Sequence, residues 1–356
     1  MTTAFDPFDL AGTPLANRIA LAPMTRNRAG ESGIPTDLTA EYYAQRASAG
    51  LLITEGVQPS SVGQGYPRTP GLHSDEQAAG WRKVTDAVHA AGGRIFVQLL
   101  HTGRIGHPSL LPDGLVPVGP SAVAATGQVF TDEGAKEFVT PHELTDTEIR
   151  ETVLDFAAAA RRAVDAGFDG VELHGANGYL IHQFLAPNSN VRTDAWGGSA
   201  EGRNRFALET VRAVVAEIGA ARTAIRLSPG NPYNDIHEPA PEAAYSALVQ
   251  AIEPLGLAYL HLVEGTADDR TLTERLRKLF NGPLVLNPAT DGPTGPEALA
   301  LVEEGVTDLV SYGALFLANP DLPARLRAGG PYNTPDRATF YGGDHRGYTD
   351  YPALEV

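Results

Sequence analysis

The stretch TEIRETVLDFAAAARRAVDAGFDGVEL, residues 147–173, shows most clearly how this chain is built. Its first part predicts a helix over Thr147 to Ala166, because apolar side chains recur on one stripe at helical spacing: Ile149, Val153, Phe156, Ala160 and Val164. Gly167 stands where a helix favours a left-handed C-terminal residue. The run from Gly170 to Leu173 then predicts a short buried strand.

The same alternation of strand and helix runs along the whole chain. Eight strands are predicted at Arg18 to Ala22, Leu51 to Thr54, Arg94 to Leu99, Gly170 to Leu173, Ala224 to Leu227, Tyr259 to Val263, Leu284 to Leu286 and Asp308 to Ser311. Helical patterns separate them at Leu38 to Ser48, Asp75 to Ala90, Thr147 to Ala166, Glu201 to Ile218, Pro241 to Leu255, Asp269 to Leu279, Pro296 to Glu304 and Leu322 to Arg327. Repeated units of this kind indicate an α/β fold.

Two α/β folds share this alternation, the doubly wound sheet and the (β/α)8 TIM barrel. No G-x-G-x-x-G turn follows any strand, and polar residues follow nearly every strand, so the sequence favours the barrel. No internal boundary divides the chain, and we expect one barrel domain over residues 1–356. The longest insertion, 101–145 after the third strand, is expected to lie over the mouth of the barrel.

Composition excludes several classes of function. The chain has 356 residues and no cysteine, which rules out a structural disulfide, a Cys-ligated metal and a catalytic thiol. Its formal charge of −16 argues against nucleic acid or an anionic membrane as a partner. The N-terminus does not resemble an export signal and no transmembrane stretch occurs, so we expect a cytoplasmic protein.

Polar residues follow the first five strands, and the cluster His174, Asn177 and Tyr179 is the most informative. An imidazole or its cation, together with a carboxamide, can donate two hydrogen bonds to one oxygen of a carbonyl or nitro group. Tyr179 is a usable proton donor to a carbanion-like carbon. The alternative is that His174 and Asn177 only cap the turn after the strand.

Arg226 lies inside an apolar strand, so its guanidinium is expected to point into the barrel. A buried charge needs a partner, and that partner is either Glu55 or Glu172, or an electron-poor or anionic ring. Gln98 offers a donor and an acceptor, which suits the edge of a planar heterocycle. No histidine pattern typical of a metal site occurs, so no metal is expected.

Taken together, the motifs resemble those of the Old Yellow Enzyme family of flavin-dependent ene-reductases, in its N-ethylmaleimide reductase and pentaerythritol tetranitrate reductase branch. The resemblance rests on NRIALAPMTR (17–26), YYAQRA (42–47), VQLLHTGR (97–104), HGANGYL (174–180), NVRTDAWGGS (190–199), FYGG (340–343) and GYTDYP (347–352). It covers nearly the whole chain.

This resemblance implies a barrel that holds FMN across its mouth and is closed below by an N-terminal hairpin near Phe8 to Arg18. Cofactor contacts are implied for Pro23, Met24, Thr25, Gly56, Gln98, Arg226 and Gly313, with Arg226 facing flavin N1. His174 and Asn177 would bind the activating oxygen of the alkene, Tyr179 would protonate its α-carbon, and Tyr66 and Tyr341 would line the substrate side. NAD(P)H is the implied reductant, and the protein is expected to be a monomer or homodimer.

One region departs from the family pattern. The family usually has a Gly-Ala-Gly-like loop after the seventh strand and Gly-Arg after the eighth, which clamp the FMN phosphate. Here the loop is Asn287 to Gly295, with prolines that cannot donate, and Ala314 replaces the arginine. FMN could bind through other contacts, with Arg325, Arg327 or a backbone amide as a substitute.

Two other functions remain open at this stage. A deazaflavin, whose phosphate carries a further tail, could use the space at Ala314 and give a deazaflavin-dependent reductase of the same fold. A flavin-free isomerase or binding protein could instead keep the mouth without a nucleotide. The leading prediction is an FMN-dependent ene-reductase that acts on activated alkenes, namely α,β-unsaturated carbonyl or nitro compounds.

Overall fold

In the computed structural model, which describes residues 2–354, eight parallel strands close into a barrel. The strands are β1 (Ile19–Leu21), β2 (Leu51–Val57), β3 (Ile95–Leu99), β4 (Gly170–Gly175), β5 (Thr223–Leu227), β6 (Tyr259–Val263), β7 (Leu284–Asn287) and β8 (Leu309–Tyr312). Each pairs with the next, and β8 pairs with β1, so this sheet has no free edge. The predicted barrel is confirmed.

Helices connect the strands and pack on the outside. The α-helices are Asp37–Gln45, Asp75–Ala90, Asp146–Asp165, Leu180–Leu185, Ala200–Ile218, Pro241–Ile252, Arg270–Leu279, Ala300–Glu303, Ala314–Ala318 and Leu322–Ala328. The sequence missed the two at 180–185 and 314–318, which are too short to show periodicity. The predicted helix at 296–304 is partly wrong, since Pro296–Leu299 is a 3-10 turn.

The lower half of the barrel interior is apolar. A hairpin of Phe8–Leu10 and Thr13–Leu15 closes this end, with Leu10 and Leu15 in one buried cluster with Ile53 and Phe96 of the strands. Burial of such side chains stabilises a domain by about 25 cal/mol per Å² of apolar surface. The predicted N-terminal hairpin is therefore confirmed as the floor of the barrel.

The upper half of the interior is polar. Alternate residues of a barrel strand face inward, and above the apolar cluster a set of inward positions carries polar side chains: Gln98, Glu172, Arg226, His261, Asn287 and Ser311. The parallel register pairs Glu172 with Gln98, and Arg226 with both His174 and His261. The strands thus collect these groups in one layer beneath the mouth.

Two segments outside the repeating units reach the mouth. After β3, the long insertion contains a hairpin of Gln128–Thr131 and Gly134–Glu137, and Phe130 at this hairpin lines a cavity at the mouth. At the C-terminus, Tyr341 lines the same cavity.

Guanidinium groups fix the C-terminal segment. Arg26 donates from Nε to the carbonyl of Phe340 at 2.9 Å and from Nη2 to that of Gly347 at 2.8 Å. Arg28 donates to the carbonyl of Thr339 at 3.0 Å and lies over the Tyr348 ring at 4.5 Å. Both arginines are buried. They connect the end of β1 to the segment that carries Tyr341.

We expect Arg28→Met to loosen residues 339–348, because several carbonyls lose a charged donor. Hydrogen bonds to charged groups contribute roughly 1.5–3 kcal/mol each, so the free energy of unfolding should fall by at least about 2 kcal/mol. Hydrogen exchange should become faster at these amides. Arg82→Met, at an exposed helix position, is the control; equal exchange rates in both variants would contradict this role.

Candidate active site

A chain of hydrogen bonds crosses the polar layer of the barrel. Gln98 donates from Nε2 to Glu172 Oε1 at 2.7 Å, and Glu172 Oε2 lies 2.8 Å from Nδ1 of His261. His261 Nε2 lies 3.0 Å from the Ser311 hydroxyl. Burial lowers the pKa of His261, so its ring is neutral, donates from Nδ1 to the carboxylate and accepts from Ser311.

Glu172 is ionised although it is fully buried. Burial acts to raise the pKa of its carboxyl group, but His261, Arg226 and Gln98 outweigh that effect and hold the pKa below its usual value. Arg226 remains a cation, since a guanidinium keeps its proton in proteins. The layer therefore contains one buried negative and one buried positive charge.

Arg226 is only partly satisfied by these neighbours. It is 5% exposed and donates from Nη2 to Asn287 Oδ1 at a long 3.4 Å. Within residues 2–354 its buried Nε has no hydrogen-bond partner. Of the two expected carboxylate partners, Glu172 interacts with this charge. Glu55 instead accepts from the backbone N–H of Arg26. A buried donor without a partner needs an explanation, and a ligand bound against this layer provides one.

His174 is neutral and its tautomer is fixed. Its Nδ1 accepts from the backbone N–H of Ala176 at 3.2 Å, so the proton is on Nε2. Burial and the charge of Arg226 hold the pKa of His174 well below its usual value, which removes the imidazolium alternative. His174 therefore does cap the turn after the strand, as considered above. Because only Nδ1 makes that contact, Nε2–H remains available as a donor.

Asn177 is held by its backbone. Its φ of +54° lies in the left-handed region, which Asn tolerates better than most residues. Its N–H donates to the Ser228 hydroxyl at 2.8 Å and its carbonyl accepts from Asn234 at 2.8 Å. Among the described residues its side-chain carboxamide has no hydrogen-bond partner, so it is available to a ligand.

Tyr179 stands beside His174, with ring centroids 4.9 Å apart at 84°. Its hydroxyl lies 3.0 Å from the hydroxyl of Tyr66. Burial raises the pKa of Tyr179 to about 12, so the phenol is protonated at any ordinary pH. The pair therefore keeps a proton available at the edge of the mouth.

A cavity of about 310 Å³ opens at the mouth. Its lining includes four residues that the sequence singled out, Thr25, Tyr66, Tyr179 and Tyr341. The sequence missed others: Asn27, Pro67, Arg68, Phe130, Tyr233 and Gly342. Phe130 and Tyr233 are mostly exposed and come from connecting segments, where no periodicity marks them.

The other implied cofactor contacts lie on or near this mouth. The N–H of Ala22 donates to the carbonyl of Tyr312 at 3.0 Å, which places Pro23 and Met24 beside Gly313. These three residues are partly exposed, as expected for a rim. A Cβ on Gly56 would lie 2.3 Å from the Leu100 side chain, so packing alone requires glycine there.

A buried carboxylate, Glu264, lies beside the loop that follows β7. The N–H of Ala289 donates to Glu264 Oε2 at 3.2 Å, and Arg270 binds the same carboxylate at 2.7 and 3.0 Å. Glu264 is 6% exposed. One amide of the loop after β7 is thus already occupied by a carboxylate, and Pro288 has none to donate.

The two arginines considered as substitutes for Ala314 are engaged elsewhere. Arg325 donates to Asp321 at 2.7 Å and to the carbonyls of Pro331 and Pro352 at 2.6 Å each. Arg327 lies over the ring of Phe5 at 4.5 Å. Neither contact involves the end of β8.

The layer and the mouth fit one end of FMN better than the other. The pyrimidine edge of a flavin has an N–H and carbonyl oxygens. Oε1 of Gln98 and Nε of Arg226, which have no hydrogen-bond partner among the described residues, would suit that edge. At the phosphate end the described part of the chain supplies the carboxylate of Glu264, while Arg325 and Arg327 are engaged elsewhere. The residues therefore fit the ring of the cofactor.

Other kinds of site are not found in residues 2–354. No group of three or more acidic or histidine side chains is arranged to bind a metal ion. His182 pairs with Glu238 at 3.1 Å. None of the helices in this part of the chain has the length and apolar character needed to cross a membrane.

Comparison with known proteins gives a consistent result. Residues 3–333 match the family described as NADH:flavin oxidoreductase / NADH oxidase. The chain is 44% identical over 365 residues to a putative 12-oxophytodienoate reductase 6 of Oryza sativa subsp. japonica, covering 98% of this chain and 91% of that protein. It is 42% identical over 355 residues to a probable flavin mononucleotide-dependent alkene reductase of Leishmania infantum, with 98% and 96% covered.

Among solved structures, a complex of morphinone reductase with tetrahydroNAD superimposes with a TM-score of 0.94. The two chains are 43% identical, and the match covers 100% of this chain and 98% of that one. The likeness thus extends over the whole barrel, the insertion and the C-terminal segment.

Proposed function

The chain belongs to the NADH:flavin oxidoreductase / NADH oxidase family, that of the Old Yellow Enzymes, and is a flavin-dependent ene-reductase; we propose which of its residues perform the reaction. The site at the mouth reduces the C=C bond of α,β-unsaturated carbonyl or nitro compounds. The observation that carries this assignment is the fixed Nε2–H of His174 beside the free carboxamide of Asn177 and the protonated Tyr179.

His174 and Asn177 bind the activating oxygen of the substrate. Two donors on one carbonyl or nitro oxygen withdraw electrons from the conjugated double bond and stabilise the negative charge that develops there. A neutral imidazole suits this role because it donates without adding a full charge next to Arg226. The backbone of Asn177 has a positive φ. In this conformation the side-chain carboxamide makes no hydrogen bond to other described residues that would compete with the substrate.

Tyr179 protonates the α-carbon of the alkene. Its pKa of about 12 keeps the proton on the phenol until the carbon becomes basic. Tyr66, at 3.0 Å, holds the hydroxyl in place and donates a hydrogen bond to the tyrosinate left after the transfer, which then takes up a proton from water.

FMN, recharged by NAD(P)H, supplies the hydride for the β-carbon when it is bound. Gln98 and Arg226 bind the pyrimidine edge of its ring, and Thr25, next to Pro23 and Met24, binds on the β1 side. Gly313 leaves room for close approach, whereas Gly56 is required by the packing of Leu100 and contributes through its backbone. These assignments rest on the unpartnered polar atoms of Gln98 and Arg226 and on the partial exposure of Pro23, Met24 and Gly313 at the mouth.

The phosphate end is bound weakly in this proposal, because Ala314 offers no charge and Glu264 occupies an amide of the β7 loop. A charge-assisted contact to phosphate is about twice as strong as a neutral one. Discrimination between FMN and riboflavin should therefore be small. The same opening gives a deazaflavin with an extended phosphate tail a way to bind, which is the second cofactor to test.

Replacing both His174 and Asn177 by alanine should weaken binding of phenol ligands, whose oxygen mimics that of the substrate. Loss of two hydrogen bonds, at about 1 kcal/mol each, corresponds to roughly a 30-fold rise in Kd. Titration of the charge-transfer absorbance measures it. His142→Ala, at an exposed position, is the control, and unchanged phenol affinity in the double variant would exclude the role.

Tyr179→Phe should slow alkene reduction on the order of 100-fold, the usual contribution of a positioned proton donor. Flavin reduction by NAD(P)H needs no such proton and should keep its rate, so stopped-flow measurement of the two half-reactions separates them. Tyr66→Phe, which keeps Tyr179, should cause a much smaller loss. Equal slowing of both half-reactions by Tyr179→Phe would refute this assignment.

The pH profile provides an independent check on both residues. His174 stays neutral and Tyr179 stays protonated from about pH 6 to about pH 10, given their shifted pKa values and ordinary reference values. The alkene half-reaction should therefore be flat over this window. A break near pH 6.5 that His174→Ala removes would show that His174 titrates, whereas a break that remains in that variant would belong to Glu55, whose pKa burial raises to about 7.

Ala314→Arg should restore discrimination at the phosphate end. In the parent chain we expect Kd values for FMN and riboflavin within about tenfold, and in the variant FMN alone should bind at least about tenfold tighter. Fluorescence titration of the apoprotein measures both, with Ala158→Arg on an exposed helix face as control. A parent chain that prefers FMN about a thousandfold would contradict a weak phosphate site, and tighter deazaflavin binding would favour the second cofactor.

A further inference from the structure

Glu172 is a fully buried, ionised carboxylate that the proposed reaction does not use. It lies one inward position below His174 on β4, and its register neighbour on β3 is Gln98. Burying a carboxylate costs several kcal/mol unless other groups compensate it. Its partners indicate what the carboxylate does there.

The first effect of Glu172 is on the orientation of Gln98. An amide side chain can turn its oxygen or its nitrogen toward a ligand, and the hydrogen-bond network decides which. An ionised carboxylate only accepts, so at 2.7 Å it holds Nε2 of Gln98. The oxygen of Gln98 is left as the acceptor, which suits the N–H of a flavin pyrimidine edge.

A second contact keeps Glu172 itself in that state. Nδ1–H of His261 donates to its other oxygen at 2.8 Å, and Nε2 of the same ring lies 3.0 Å from the Ser311 hydroxyl. The three groups come from β4, β6 and β8, so the arrangement depends on closure of the barrel. Each member is fully buried, so the contacts among these three groups are made away from bulk solvent.

The third effect is electrostatic. The charge of Glu172 acts on Arg226, whose guanidinium otherwise has only a long contact to Asn287. Arg226 favours the reduced flavin, which carries negative charge at N1. A carboxylate in the same low-dielectric layer opposes that charge. The two groups therefore act in opposite directions on the same equilibrium.

We propose that Glu172, held by His261 and Ser311, is a positioning residue that orients Gln98 and sets the reduction potential of the bound flavin by offsetting Arg226. This inference rests on the proposed function, since it requires a flavin at the mouth. It assigns Glu172 no contact with substrate.

The test compares the reduction potentials of flavin-loaded Glu172→Gln and the parent chain. Removing the negative charge should make the protein favour reduced over oxidised flavin. The Kd of oxidised flavin divided by the Kd of reduced flavin should rise about tenfold. For a two-electron couple, tenfold corresponds to about 30 mV, so the potential should rise by this amount. Dye-equilibrated spectral titration measures it without turnover.

Glu238→Gln is the matched control. Glu238 is also a buried carboxylate paired with a histidine, but its partners His182 and Tyr245 lie on helices outside the strands. We expect it to leave the potential unchanged. In Glu172→Asp, which keeps the charge, the reduction potential of the bound flavin should stay near that of the parent chain, even if flavin affinity falls.

Gln98→Leu keeps the inference testable if Glu172→Gln does not fold. It removes the oriented oxygen, and riboflavin and FMN should both bind at least about tenfold more weakly. Unchanged flavin affinity in Gln98→Leu, or an unchanged potential in folded Glu172→Gln, would overturn the inference. A parent chain that binds no flavin would instead overturn the proposed function, so the two failures are distinguishable.

Discussion

Arg226 is the group around which this barrel is organised. Its guanidinium stands on a strand of apolar residues, 5% exposed and without a partner for Nε. Glu172 lies in the same layer, other partners hold its carboxylate ionised, and its negative charge offsets that of the guanidinium. The layer thus remains charged and partly unsatisfied, which suits an electron-accepting ring and would be costly in an empty apolar core.

The division of the interior into two halves explains how such a layer is tolerated. Below it, the N-terminal hairpin and the apolar cluster around Phe96 provide the packing that stabilises the fold. Above it, the mouth is built by segments that other contacts fix: Arg26 and Arg28 hold the C-terminal segment, and Ser228 and Asn234 hold the turn of Asn177. The reactive groups therefore lie on rigid supports, as precise hydride and proton transfer requires.

The sequence predicted the barrel because each unit has a helix stripe, a glycine and a short apolar strand, as residues 147–173 show. It also predicted that Thr25, Tyr66, Tyr179 and Tyr341 share a site, through resemblance to a family. It could not decide between Glu55 and Glu172 as the partner of Arg226, since strand register is not visible in one chain. Phe130 and Tyr233 were missed because their positions depend on how connecting segments fold back over the mouth.

The most direct test of this account is a crystal structure of the chain with FMN and a phenol bound together. We expect the pyrimidine edge of the ring against Arg226 and Gln98, the phenol oxygen between His174 and Asn177, and the phosphate without a guanidinium partner. A flavin seated elsewhere, or a mouth in which Arg226 and Glu172 close on each other and exclude the ring, would contradict it.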